Sequence, residues 1–126
     1  MSGKDASRDA AYLGHMLEAI RRVRRYVRRK SRAAFLRSEL VQDAVMRNIE
    51  VLGEAAAQVS AEFTAKYPAI PWRDIVGMRH RLIHGYAKVQ LGLVWDAAAQ
   101  DLPALEKQLH ALVRAPKPPA RKKGGA

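Results

Sequence analysis

One apolar pattern leaves most of this chain a single way to fold. Leu13, Met16, Leu17, Ile20, Val23 and Val27 follow the three-and-four spacing of one helical face, which at 3.6 residues per turn places them on one stripe of a helix. The pattern returns in Leu40, Val41, Ala44, Val45, Ile49, Leu52, Ala56, Val59 and Phe63. A shorter version holds Trp72, Ile75, Val76, Met78, Leu82 and Ile83, and a last one runs from Leu91 to Arg114. No segment alternates with the period of two that a half-buried strand needs. The expected fold class is all-α, an antiparallel bundle of four main helices.

Proline and glycine set the boundaries. "YPAIPW" is the clearest break: each proline pushes the residue before it toward extended backbone, and Pro71 suits a first helical position. A third helix is expected from about Pro71 to His84, closed by Gly85 in a left-handed conformation, with "YAKVQ" as a loop. Asp5 or Ser7 would cap the first helix, and Lys30 to Ser38 reads as a short break before the second. Gly53 lies inside the second helix, where it suggests that another helix packs close. Pro103 predicts a kink in the fourth helix, or a restart capped by Asp101. The segment "APKPPARKKGGA" has nothing to pack and reads as disordered. Residues 1–114 are therefore taken as one helical domain and 115–126 as a basic tail.

At 126 residues the chain can build one modest core. It has no cysteine, which excludes disulfides, thiolate metal sites and a cysteine nucleophile. No apolar run is long enough to span a bilayer, and "MSGKDASRDAAYLGHM" lacks the apolar core of a secretion signal. The expected location is cytoplasmic. The net charge of +11 favours polyanionic partners, nucleic acid first. Seven cations crowd the end of the first helix, from Arg21 to Lys30, more than a helix dipole calls for.

The densest chemistry is "MRHRLIHGY", residues 78–86. His80 and His84 are four apart, as in zinc-binding H-E-x-x-H helices, but Arg81 stands where that motif has its glutamate, and the flanking arginines repel a cation. A second reading is acid–base chemistry. Histidine exchanges protons near neutral pH and arginine offers a planar fork to phosphate, so Arg79 and His84 are equipped to cleave RNA without a metal. On an unbroken helix the two would lie about 140° apart around the axis, so Gly85 must unwind the end or a second chain must complete the site, and the dimer is the favoured solution. The third reading is a capped helix end, with the cations complementing the dipole and Tyr86 packing beneath.

The spacing Arg79-x4-His84-x-Tyr86 resembles the motif of the HEPN ribonucleases, and of the HepT toxins among them. "YLGHMLEAIRRVRRY" (12–26), "NIEVLGEAA" (48–56), "IPWRDIVGMRHRLIHGY" (70–86) and "VWDAAAQDLPAL" (94–105) each resemble a HepT segment, in order, over roughly residues 10 to 112. The resemblance implies a homodimeric HEPN bundle of four or five helices with a metal-independent RNase cleft at the interface. Arg79 and His84 would be the catalytic pair. It also implies the toxin of a type VII toxin–antitoxin module, silenced by a minimal nucleotidyltransferase of the MntA type that transfers AMP to Tyr86. A larger hetero-oligomer with that antitoxin stays open. No cofactor, resident metal or membrane is implied.

His80 and Arg81 are expected to support RNA or partner contact, and Asn48 and Glu54 to orient Arg79. His80 stands where the family commonly has asparagine, and Gln90 where aspartate is common. The competing expectation is a catalytically inert helical module that binds RNA or protein.

Overall fold

The structure, a computed structural model, describes the backbone of residues 3–84 and 88–114 and the side chains of residues 6–82 and 90–113. Its α-helices are α1 (Gly3–Val27), α2 (Arg32–Arg37), α3 (Glu39–Gln58), α4 (Ala61–Lys66), α5 (Trp72–Leu82), α6 (Leu91–Asp96) and α7 (Leu102–Arg114). Five π-helical residues, Ala97–Asp101, join α6 to α7 without a break. The all-α expectation holds, with one small exception below. α3 packs against α1 on one side and α5 on the other, while α7 lies against α1. The core is built largely from the helical stripes: Met16, Ile20, Ile49, Leu52, Ile75 and Leu109 are almost fully buried.

Polar contacts fix the antiparallel order. Asp9, buried near the start of α1, accepts hydrogen bonds from the backbone N–H and the hydroxyl of Ser60 (2.8 and 2.7 Å), just beyond the end of α3. Ser60 in turn caps α4 by accepting from the Phe63 N–H. Gly53 marks the closest approach of α3 and α5: a Cβ there would lie 3.4 Å from the Ile75 carbonyl oxygen and 3.5 Å from that of Val76. The helix expected to pack on Gly53 is α5.

Several boundaries differ from the sequence reading. The first helix begins at Gly3, so Asp5 and Ser7 lie within its first turns rather than at its N-cap. The expected break between Lys30 and Ser38 contains α2, capped by the Ser31 hydroxyl. Six residues are too few to show a periodic stripe. What holds α2 is Phe35, wholly buried with its ring 5.5 Å from that of Trp95, and Gln42, whose amide donates to the Phe35 and Leu36 carbonyls. The second long helix stops at Gln58, because Val59 and Ser60 are extended, and Phe63 belongs to α4. Leu40, read as core, is 81% exposed on the first turn of α3.

The third helix ends at Leu82, short of the expected His84. Ile83–His84 and Lys88–Val89 instead form a two-residue antiparallel ladder, with Ile83 opposite Val89 and His84 opposite Lys88. The Gln90 N–H then donates to the Leu82 carbonyl at 2.9 Å. The "YAKVQ" loop is thus partly strand, and Gly85 and Tyr86 lie outside the described residues. Gln90 sits at the N-cap of α6 and makes no side-chain cap bond, a bond that aspartate supplies well.

Pro103 does not restart the fourth helix, and Asp101 lies within a continuous run rather than at a cap. Proline lacks an N–H, and its ring crowds the carbonyl four residues back. The chain answers by widening one turn, so that the Leu102 N–H reaches the Ala97 carbonyl. The 115–126 tail lies outside the described residues, and among those described no helix is long and apolar enough to cross a membrane.

Candidate active site

α5 carries Arg79 near its end and delivers it to α3. The Arg79 Nε donates to Glu50 Oε2 at 3.1 Å, with the arginine side chain 62% exposed and the glutamate 31%. Arg47, one turn earlier on α3, brings Nη1 within 4.0 Å of the other Glu50 oxygen. The ion pair is too exposed to add more than about 1 kcal/mol to folding. Its consequence is positional: contact through Nε leaves the outer end of the guanidinium fork pointing away from the carboxylate that grips its base.

Glu50 is the residue the sequence reading missed. Antiparallel register puts it there, since it lies three positions before Gly53 and Arg79 three positions after Val76, whose backbone Gly53 touches. The two residues expected to orient Arg79 do other things. Asn48 is buried and donates to the Ala44 carbonyl on its own helix (2.9 Å), beside a cavity of about 260 Å³ toward α1. Glu54 is exposed one turn beyond Glu50.

His84 is brought to the same end of α5, but by the two-residue strand rather than the helix. The 140° separation of an unbroken helix therefore does not apply, because the backbone leaves helical geometry after Leu82. The His84 side chain and all of Tyr86 lie outside the described residues. His80 is exposed on the last turn of α5, and the Arg81 guanidinium reaches back to the Asp74 carbonyl at 3.4 Å. Arg81 also borders a cleft of about 330 Å³ between α5 and α6, with Met78 and Leu82 on its floor, Asp96 and Asp101 opposite, and the half-exposed Leu93 on its rim.

Electrostatically the site belongs to a chain rich in cations. Even Glu18, on α1, has its carboxyl held below the usual value, chiefly by the Arg22 hydrogen bond and further by the charges of Arg22, Arg21 and Arg25. Among the described residues no three histidine or carboxylate side chains gather closely enough to hold a metal ion. The arrangement offers a fixed, exposed guanidinium beside a histidine-bearing turn. Such a pair suits phosphate binding and proton transfer.

Comparison with known proteins identifies the family. The ribonuclease HepT-like family model matches residues 16–112. A Methanocaldococcus jannaschii protein named "Gamma-glutamylcyclotransferase and putative RNase" is 41% identical over 98 residues, which cover 78% of this chain but only 44% of that protein. A "Putative RNase" of Caldanaerobacter subterraneus is 32% identical over 82% of this chain and 92% of its own length. A "Probable ribonuclease HepT" of Thermococcus cleftensis is 34% identical over 80% and 92%. No solved structure matches the chain. With most of the folded chain matched by the family model and by relatives of similar length, the chain belongs to the HepT-like ribonuclease family.

Proposed function

We propose that this ribonuclease is the toxin of a type VII toxin–antitoxin module, cutting RNA without a metal through Arg79 and His84. The observation that carries the reading is the Glu50-anchored, exposed Arg79 five residues before His84, on a chain that has left the helix between them. In the reaction the His84 imidazole takes the proton of a ribose 2′-hydroxyl. The 2′ oxygen then bonds to the adjacent phosphorus, the bond from phosphorus to the 5′ oxygen breaks, and that oxygen leaves with a proton. Arg79 stabilises the charge on the non-bridging oxygens as the five-coordinate phosphorus forms. Products are a 2′,3′-cyclic phosphate and a 5′-hydroxyl, so DNA is spared.

A homodimer supplies the second proton transfer, because a twofold axis brings a second His84 to the cleft. The partly exposed Leu93 and the cleft beside it suit a face that another chain covers. His80 and Arg81 serve RNA or partner contact at the same end of α5.

Glu50 is a positioning residue in this account. Glu50→Ala is expected to lower cleavage about tenfold by loosening the guanidinium, while thermal unfolding changes stability by less than about 1 kcal/mol. An unchanged rate would remove Glu50 from the site.

Regulation follows from Tyr86. An MntA-type nucleotidyltransferase joins the tyrosyl oxygen to the α-phosphorus of ATP and releases pyrophosphate. The added AMP puts a bulky anion two residues from His84, where it competes with RNA phosphate. Incubation with ATP and such an enzyme should raise the intact mass by AMP units and stop cleavage, and Tyr86→Phe should abolish both effects. A mass gain that persists in Tyr86→Phe would move the modification elsewhere.

A further inference from the structure

The cations at the end of α1 are not used by the Arg79 site, which lies on the seam between α3 and α5. They line a separate groove of about 470 Å³ on the seam between α1 and the α6–α7 rod. Arg21, Arg24, Arg28 and Lys30 form one wall, and Trp95, Ala98 and Pro103 belong to the other. Two of the cations are partly neutralised: Arg21 pairs with Glu18 at 3.0 Å, and Arg24 with the buried Glu106 at the groove's edge. Among the described residues no carboxylate pairs with Arg28 or Lys30, and both are exposed.

The opposite wall has a feature that a plain cation patch lacks. Trp95 presents a large half-buried ring, with Phe35 behind it at 5.5 Å.

We infer that this groove holds a segment of single-stranded RNA outside the cleavage cleft. Arg28 and Lys30, assisted by Arg21 and Arg24, take phosphates, and Trp95 stacks a base. Cations tracking a backbone beside an aromatic ring are what single strands need from a protein. The choice of RNA among polyanions rests on the nuclease reading above. The groove would grip the strand while the Arg79 end cuts it elsewhere.

The test uses a fluorescein-labelled twelve-nucleotide RNA with every 2′-hydroxyl methylated, so that it cannot be cut by 2′-hydroxyl attack. Its anisotropy is titrated with wild type, with Arg28→Ala/Lys30→Ala, and with Lys66→Ala/Arg73→Ala, which removes the same charge from exposed positions on α4 and α5. The groove pair should weaken binding about tenfold and reduce the salt slope by roughly 1.4, the value for two lost phosphate contacts on a single strand. The α4–α5 pair should change it less than twofold. Equal weakening by both pairs, or none by the groove pair, would overturn the site. A 4-thiouridine version irradiated on wild type should crosslink to the peptide containing Trp95, and crosslinks confined to residues 78–90 would also overturn it. Because the methylated strand reports binding alone, loss of the nuclease reading, seen as unchanged cleavage by His84→Ala, is a separate outcome.

Discussion

His84→Ala is expected to reduce RNA cleavage by about 10²- to 10⁴-fold, the range that a positioned general acid or base supplies. Arg79→Ala should lose about 10²- to 10³-fold, as when one preorganised donor to a developing oxyanion is removed. Neither change should alter the fold. Arg79 is exposed and its single ion pair adds little to stability, while His84 follows the last turn of α5 in a two-residue strand. Circular dichroism and thermal unfolding of both variants should match wild type. Combining the two should cost little more than the worse single change, since residues acting in one step are not additive. Arg81→Ala, which loses a long contact to the Asp74 carbonyl, should fall far short of either.

Phe35→Ala should have the largest effect on stability, about 3–5 kcal/mol. Phe35 is wholly inaccessible, packs on Trp95 and lies in the six-residue helix that Gln42 ties to α3. Removing the ring leaves a cavity where α2, α3 and α6 meet. Two-state proteins of this size hold only about 5–15 kcal/mol in total, so urea unfolding should show a large drop in the midpoint. Leu36→Ala, one residue on and exposed, should change it by less than about 0.5 kcal/mol. If both substitutions cost the same, α2 does not anchor the bundle.

How much of this was legible in the sequence depends on length and register. The stripes of α1, α3 and α7 are long enough for their period to reveal helices, and the residues named in the first two supply a large part of the core. α2 was not legible, because one phenylalanine in six residues shows no period and its burial is a tertiary fact. Leu40 failed for a related reason: it follows the apolar spacing of α3, but no other element covers that first turn. The end of α5 was misread because Gly85 drew the boundary. The pairing of Ile83–His84 with Lys88–Val89 ends the helix two residues sooner, through contacts invisible to local propensity.

The candidate site was legible in its chemistry and less so in its support. Arg79 and His84 stand out by residue type and spacing, and the family match covers both. Their geometric conflict came from extending the helix too far. Glu50 could have been found by treating Gly53 as the crossing point of two antiparallel helices and counting one turn each way. Asn48 and Glu54 were named for polarity alone, without that register. The cations of α1 were visible from the outset, but the groove they border depends on Trp95 and on the π turn that Pro103 forces into the opposite helix.

The most direct test is a single cleavage assay in EDTA, on an RNA oligonucleotide and on the same oligonucleotide with every sugar 2′-deoxy, with wild type and His84→Ala. The account predicts that wild type cuts only the RNA, leaving 2′,3′-cyclic phosphate and 5′-hydroxyl ends, and that His84→Ala is slower by at least about 10²-fold. Cleavage of the RNA by His84→Ala at the wild-type rate, or equal cutting of the 2′-deoxy strand, would contradict it.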